Sequence, residues 1–226
     1  MKSSLRSAHA GAVHMRAFGL LLILVVSPLV AASPESFRFS GERTSVSLAE
    51  GRERTVLTGN AEIVSDDTQI RADRIEIYGR NFRYAVAEGN VQVVDSKRDI
   101  HLSATRLFFD READQLRAEG NVIMEDRANE LLVRGRFLEN RNEEELTIVQ
   151  AGVRILGDEL TARGEYARYR RDIDTLEISG MPVVFRKGDE YRATRITIDL
   201  DRDEIVLQGE VRGRITTNDD ASEDGE

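Results

Sequence analysis

The side chains that could do chemistry are few, and most of them are carboxylates. Outside the first 32 residues His101 is the single histidine, and the chain has no cysteine. A Ser-His-Asp triad would need His101, but the alternation of His101 with Leu102 and Ala104 predicts a solvent-facing position on a strand. Metal sites built on histidine and cysteine are excluded by the number of available ligands.

The segment DLDRDE, residues 199–204, is dense in acids. Asp199, Asp201 and Asp203 match positions 1, 3 and 5 of an EF-hand loop, and Glu210 matches position 12. Position 6 is Glu204, where that loop needs glycine for its turn, so we interpret the segment as a polar hairpin turn. A carboxylate pair of the glycosidase type stays open as an alternative, because other turns are also rich in acids. No phosphate-binding glycine loop is present, and we expect no catalytic residue, metal or cofactor.

The chain that must position these residues begins with a segment typical of export. Residues 15–36, MRAFGLLLILVVSPLVAASPES, contain a basic residue, an apolar run and then small residues. The run from Phe18 to Val26 is short for a membrane anchor, and Val30 to Ala32 suit signal peptidase. This pattern predicts a signal peptide over residues 1–32, with either Met1 or Met15 as the start, and a periplasmic protein. An uncleaved anchor is the alternative.

Charge argues against one class of partner. Removal of residues 1–32 takes away three basic residues and no acid, so the net charge falls from −9 to −12. Binding of nucleic acid phosphates needs a basic surface, so we expect no nucleic acid partner, although a local basic patch is allowed. The last nine residues, NDDASEDGE, are interpreted as an acidic disordered tail over residues 218–226.

A repeat of about 30 residues runs through the rest of the chain, residues 33–217. AEGNVQVVD, residues 87–95, returns as AEGNVIMED, residues 118–126. Equivalent glycines are separated by steps of 30, 31, 32, 28 and 29 residues, at Gly59, Gly89, Gly120, Gly152, Gly180 and Gly209. A second motif lies between them, as Ile70, Ala72, Ile75 and Ile77. It returns clearly at Leu102–Phe109 and Tyr191–Ile198, and weakly at Leu131–Leu138 and Leu160–Ala167, where Arg136 and Glu165 interrupt it.

Both parts of the repeat have the alternation of β-strands with one buried face. Leu116, Ala118, Gly120, Val122 and Met124 share one face, and Ile205 to Ile215 alternate in the same way. The joins are too short for crossover helices, so we predict about twelve antiparallel strands. Glycine inside a strand marks a bulge or bend, and the apolar face changes parity between Ala72 and Ile75. We therefore predict a crease across the strands that folds the meander over on itself; a β-solenoid is the alternative.

The predicted interior is apolar and contains many small residues. Aromatic residues are only 6% of the chain and tryptophan is absent. Such an interior is either a close sandwich or an elongated groove that takes a lipid, and the sequence alone leaves both open. The candidate lipid-contacting residues are Ile63, Ile75, Ile77, Val91, Val93, Leu107, Phe109, Val122, Met124, Ile196 and Ile198, which in the plainer interpretation only pack against each other.

The sequence resembles the OstA-like family of lipopolysaccharide-transport proteins over roughly residues 54–215. TGNAEIVSDDTQIRADRIEIY, residues 58–78, and AEGNVQVVD carry the resemblance, and it is strongest to the soluble periplasmic bridge member. The resemblance implies an all-β, antiparallel folded β-jellyroll, or β-taco. It also implies binding of lipid A acyl chains between the walls and end-to-end stacking of like domains between the inner and outer membranes. Arg136, Arg154 and Glu165 depart from the apolar pattern.

The ends of such a meander would carry unpaired strand edges, near residues 37–48 and 205–216. Such edges pair with other chains unless they are blocked, so end-to-end assembly with OstA-like domains, including copies of this chain, is a hypothesis with a mechanism. Three other functions stay open: the membrane-tethered member of the same family, a β-solenoid enzyme or binding protein for polysaccharide, and a structural surface array.

Overall fold

The computed structural model describes residues 37–216, with the exception of Asp66 and Asn129. The described residues all belong to one compact unit. The predicted signal peptide and acidic tail lie outside the described residues. Among the residues that are described, no helix has the length and apolar character needed to cross a membrane.

One antiparallel sheet contains all the strands of the described region, and consecutive strands are neighbours through most of it. Two short 3-10 turns, Arg80–Phe82 and Arg171–Ile173, are its helical segments. The strands are β1 Phe37–Ser40, β2 Arg43–Ser47, β3 Arg54–Ser65, β4 Thr68–Tyr78, β5 Tyr84–Asp95, β6 Ile100–Asp110, β7 Gln115–Asp126, β8 Leu131–Arg141, β9 Leu146–Leu156, β10 Leu160–Arg170, β11 Thr175–Ser179, β12 Val183–Arg186, β13 Asp189–Arg192, β14 Arg195–Asp199, β15 Glu204–Gln208 and β16 Arg212–Arg214.

These sixteen segments correspond to twelve long strands, because four long strands are each broken at the midpoint into two segments. The broken strands are β1 with β2, β11 with β12, β13 with β14 and β15 with β16. β3 pairs with β1 along one half and with β2 along the other, and β10 pairs with β11 and β12 in the same way. The break between β11 and β12 contains Pro182, which has no N–H for a sheet hydrogen bond. The predicted twelve antiparallel strands are therefore confirmed. The predicted alternation over Ile205–Ile215 is wrong beyond Gly209, because β15 ends at Gln208 and both Val211 and Ile215 are exposed.

The predicted crease is present at the repeated glycines. All six have φ between 71° and 76°, a left-handed conformation that glycine adopts without a Cβ penalty. At the β3–β4 pair, the register runs from Thr58 opposite Arg74 to Ala61 opposite Ala72, so β3 carries one extra residue. Similar shifts recur in the pairs up to β9–β10. A β-bulge of this kind bends a strand, and repeated across neighbours it makes a continuous crease.

Contacts between opposite strand ends show that the sheet is folded over at the crease. Phe37 pairs with Ser65 at one end of β3, whereas Phe82 and Arg111 lie at turns beside the other end. A straight strand of this length would separate its ends by roughly 35–40 Å. The Phe37 and Phe82 ring centroids are 6.5 Å apart, and the Arg111 guanidinium lies 5.8 Å from the Phe37 ring. The predicted folded β-jellyroll is confirmed, and the β-solenoid alternative is wrong.

The fold places all the turns along two rims opposite the crease. The first rim consists of the turns that follow Ser65, Asp95, Asp126, Leu156 and Arg186, and the second of those that follow Ser47, Tyr78, Asp110, Arg141, Arg170 and Asp199. Hydrogen bonds join successive turns of one rim, as from Ser96 N–H to the Asp67 carbonyl (2.8 Å) and from Arg111 N–H to the Arg83 carbonyl (3.0 Å). We call the gap between the two rims the mouth.

Near the crease, large side chains fill the space left by small ones. A Cβ built on Gly135 of β8 would lie 2.5 Å from Val149 Cγ1, and one built on Gly164 of β10 would lie 2.8 Å from Ile178 Cγ2. Neither glycine has a positive φ, so the close contact and not the backbone conformation is what requires glycine there. We call the two halves of the folded sheet, on either side of the crease, its walls. The numerous small residues therefore allow the two walls to pack closely beside the crease.

We expect Gly120→Ala to be more destabilising than Gly152→Ala. The two glycines have φ of 75° and 73°, so alanine carries a similar left-handed penalty of about 1 kcal/mol or more at each. A Cβ at Gly120 would also lie 2.7 Å from Thr105 Oγ1, whereas at Gly152 nothing lies within 4 Å. Urea unfolding of the two variants measures the difference, and equal losses of stability would contradict a tightly packed crease.

Candidate functional site

The space between the two walls is the candidate site, and it contains every residue predicted from the sequence. Each of the eleven belongs to one apolar cluster. Phe109 and Met124 are half-buried against that cluster, and the others are buried within it: Ile63, Ile75, Ile77, Val91, Val93, Leu107, Val122, Ile196 and Ile198. The structure therefore brings the predicted residues together on the inner faces.

The interior changes in character from the crease to the mouth. Beside the crease it is dry, and Ile75, Leu107 and Ile196 are at most 1% exposed. Toward the mouth, several side chains in the middle of the sheet are only half-buried, whereas Ile77 and Ile198, nearer its two ends, are 2% and 0% exposed. The mouth strip, as we name the half-buried residues, consists of Ile70, Met124 and Leu131 near the first rim and Phe109, Leu116 and Tyr169 near the second. The two interpretations of the interior, a close sandwich and an open groove, thus each describe one zone of it.

Four members of the mouth strip are not among the candidate residues predicted from the sequence: Ile70, Leu116, Leu131 and Tyr169. The alternation in their strands had assigned Ile70 and Leu116 to apolar faces, so a signal for those two was present. Tyr169 has no such signal. Its hydroxyl donates a hydrogen bond to Asp174 Oδ1 at 2.7 Å, and burial, followed by this contact, raises the pKa of Tyr169.

The predicted interruptions of the interior at Arg136, Glu165 and Arg154 are wrong, because all three side chains are exposed. The weak copies of the second motif were placed two residues too early. Sheet pairing aligns Val133 with Met124 and Gly135 with Val122, so the interior positions of β8 are Val133, Gly135 and Leu138.

The three polar residues instead line an open depression of about 750 Å³ beside the crease. There Glu165 Oε2 accepts a hydrogen bond from Gly152 N–H at 3.1 Å. The apolar interior is therefore continuous where the sequence suggested polar breaks.

The mouth is closed at its two ends by contacts between the rims. At the N-terminal end, the contacts are those of Phe37 with Phe82 and Arg111. At the C-terminal end, Arg186 and Lys187 of the first rim form ion pairs with Asp203 of the second. The mouth strip lies between these two closures.

The acidic turn at residues 199–204 has the structure expected of a hairpin. It joins β14 to β15, and Asp199 Oδ1 accepts the Arg202 N–H at 2.8 Å. Glu210 lies beyond β15, at the crease, so no twelve-residue loop surrounds an ion there. His101 is on the outer face and 33% of its side chain is exposed, in agreement with the predicted strand position. Over the described residues, no group of three histidine or acidic side chains is arranged to hold a metal.

Within the described part of the chain, both end strands of the sheet are unpaired on their outer side. β1 and β2 form one edge, and β15 and β16 form the other. Exposed apolar side chains accompany both edges, including Val46, which is 50% exposed, and Val206, which is 51% exposed. The predicted positions of the edges are confirmed.

The solved structures that match this chain include one from a lipopolysaccharide transport system. The crystal structure of LptH, the LptA-homologous periplasmic component of the lipopolysaccharide transport device from Pseudomonas aeruginosa, is similar over 81% of this chain and 96% of that one. The identity is 8% and the TM-score is 0.25, so no argument rests on that likeness. Comparison with curated proteins gave no match.

A family match decides the relationship. The model of one protein family, described as LptA/(LptD N-terminal domain) LPS transport protein, matches residues 44–204, which is well over half of the chain. The match extends from β2 to the start of β15 and so includes both walls, the crease and nearly all of the mouth. The chain therefore belongs to the LptA/LptD N-terminal domain family of lipopolysaccharide-transport proteins.

Proposed function

We propose that this protein is a non-enzymatic carrier in the periplasm that holds the acyl chains of lipopolysaccharide between its two walls. The observation that carries the proposal is the apolar interior, which is continuous across the sheet and reaches the surface as the half-buried mouth strip. Export after removal of residues 1–32 belongs to the same proposal. The apolar candidates of the sequence analysis are, on this proposal, the walls of the binding space.

On this proposal, the residues beside the crease and the residues at the mouth have different roles. Ile75, Leu107 and Ile196 are so fully buried that we assign them to the permanent core beside the crease. Phe109 and Met124, with the rest of the mouth strip, are the side chains that a hydrocarbon chain reaches first. A chain that enters between the rims lies along this strip and separates the rims, while the crease keeps the walls joined.

The energetics suit a carrier. Burial of an acyl chain of about twelve carbons is worth roughly 9 kcal/mol against water, at about 0.8 kcal/mol per CH₂. A membrane surrounds the same acyl chain with an equally apolar environment. The free energy of transfer between a membrane and the protein is therefore close to zero. A site that bound much more tightly than a membrane would stop the flow, and direction must come from an energised partner.

The two unpaired edges support a bridge built of several domains. β1 with β2 at one end, and β15 with β16 at the other, present free backbone N–H and C=O groups to further strands. Pairing end to end with another OstA-like domain, either a copy of this chain or a component at the inner or outer membrane, would place successive mouths side by side. On this proposal, lipid moves along one continuous groove.

Photocrosslinking in living cells tests the carrier proposal, and neighbouring phenylalanines supply the control. Phe109 faces the interior, whereas Phe108 lies on the outer face, where its ring stacks on Tyr84 with 5.9 Å between centroids. We expect a photoreactive phenylalanine at position 109, and also at Leu116 or Met124, to form adducts with lipopolysaccharide. The same group at position 108 should form few. Absence of adducts at all three mouth positions, or equal adducts at position 108, would sink the proposal.

A further inference from the structure

Arg186, at the end of β12, is a buried cation with an incomplete set of hydrogen bonds. Its side chain is 12% exposed, and its position opposite the buried Leu160 of β10 turns it toward the interior. Nε and Nη1 are buried and have no hydrogen-bond partner among the residues that the structure describes. Buried donors of this kind are rare and costly, because each has lost its water. Two such donors on one guanidinium indicate a binding site for a further hydrogen-bond acceptor.

The partner that Arg186 does have comes from the other rim. Its Nη2 is paired with Oδ1 of Asp203, in the turn between β14 and β15, and Lys187 Nζ is paired with Oδ2 of the same carboxylate. Glu159 Oε2 is more distant, at 3.8 Å from Lys187 Nζ. One carboxylate therefore lies between two cations, and this ion cluster closes the C-terminal end of the mouth.

The cluster has the form of an occupied anion site. A guanidinium presents several N–H groups in one plane, which match the oxygens of a carboxylate or a phosphate. Asp203 Oδ1 contacts Nη2 alone, so among the described residues the paired N–H contact that a guanidinium can make to an anion is not used. If the rims separate to admit acyl chains, Asp203 moves away with the second rim. Arg186 and Lys187 then stay together on the first rim, next to the apolar interior.

We propose that Arg186 and Lys187 bind the phosphate group of the carried lipid at the C-terminal end of the mouth, and that Asp203 occupies this anion site when no lipid is bound. The inference rests on the proposed function, since it names the headgroup chemistry of the same ligand. Exchange of one anion for another keeps both cations neutralised in the closed and the open state. The ion cluster therefore holds the mouth shut without opposing a phosphorylated lipid.

Binding of two matched lipids to the full-length mature protein tests the proposal. The probes are phosphorylated lipid A and the same lipid A after enzymatic removal of its phosphates, and the measurement is the dissociation constant of each. We expect the wild type to prefer the phosphorylated probe by about tenfold, as for charge-assisted hydrogen bonds. Arg186→Gln should remove the preference without weakening binding of the dephosphorylated probe, because the variant loses the phosphate contact and keeps the apolar interior. Arg202→Gln, which alters a 72% exposed arginine of the second rim, is the matched control and should change neither.

Asp203→Asn separates an anion site from a merely structural ion pair. Loss of the competing carboxylate should tighten binding of the phosphorylated probe, whereas a structural role predicts lower thermal stability and weaker binding of both probes. This variant also keeps the proposal testable if Arg186→Gln fails to fold.

Three further results would overturn it in distinguishable ways. Equal binding of the two probes by the wild type would overturn the phosphate site and leave the carrier proposal intact. Binding of neither probe would overturn both. Competition by inorganic phosphate at the same concentration as the phosphorylated lipid would assign the site to a free anion and not to a headgroup.

Discussion

Replacement of Ile178 by alanine is expected to lower the free energy of unfolding by about 4 kcal/mol. Ile178 is 0% exposed, and its Cγ2 occupies the space beside Gly164 where a Cβ would otherwise lie. The Ser179 carbonyl oxygen lies equally close to that position, at 2.8 Å, so backbone atoms form part of the slot. Backbone atoms cannot easily move into the cavity that is left when the Ile178 side chain is shortened, so the cavity collapses little. The loss of stability should therefore lie in the upper part of the usual range for isoleucine-to-alanine substitutions.

Ile173 supplies the control for this prediction. It is an isoleucine in the turn before β11, and it is 49% exposed. Ile173→Ala should change stability by less than about 0.5 kcal/mol, as is usual for surface substitutions. Urea unfolding followed by circular dichroism measures both variants. Similar losses for the two would show that the walls are not in contact beside the crease.

The second large effect is expected from Asp110→Asn, and it depends on pH. Asp110 is 8% exposed at the end of β6, and its carboxylate accepts hydrogen bonds from Arg83 Nε at 2.9 Å and Arg83 Nη2 at 2.7 Å. It also accepts the N–H groups of Glu112 and Ala113, at 3.0 and 3.2 Å, which fixes the turn of the second rim. The substitution weakens these charge-assisted bonds, at a cost of about 2 kcal/mol near neutral pH.

The direction of the pH dependence follows from the pKa of Asp110. The Arg83 guanidinium, helped by the two backbone N–H groups, lowers the pKa of Asp110 in the folded state. The stabilisation is therefore complete above the unfolded-state pKa of about 3.9, and it is lost as the pH falls through the lower folded-state value. The wild type should exceed Asp110→Asn in stability at pH 7, and the difference should shrink below about pH 4.

Unfolding midpoints at a series of pH values check this expectation. Asp201→Asn, at an exposed turn position, is the control and should follow the wild type at every pH. A constant difference between the wild type and Asp110→Asn down to pH 3 would contradict the assigned role of the carboxylate.

The main lines of this fold could be predicted because the features that produce them are local. Alternation of apolar residues indicated the strands, short polar joins indicated antiparallel neighbours, and the spaced glycines marked the crease. The predicted interior residues are all inside for the same reason, because alternation along a strand fixes which of its side chains point inward. Gly89 and Gly120 occupy the same place in two nearly identical segments, so the repeat alone identifies them as equivalent positions.

What could not be predicted depends on contacts across the fold. Gly135 and Gly164 stand where the clear copies of the motif have alanine, so the weak copies predicted from the sequence start two residues too early and put Arg136 inside. Arg186 and Asp203 lie on opposite rims, and no periodicity connects them. Only folding at the crease brings the two side chains together, so the ion cluster had no signal in the sequence.

The order of the strands has a consequence for how such proteins change in evolution and in design. Each folded strand bonds only to its neighbours, and each repeat contributes two of them, so the stack grows in one dimension. Deletion or duplication of one unit, from one crease glycine to the next, would shorten or lengthen the stack by about 10 Å. The groove would keep its cross-section, so its length would be set by the number of repeat units.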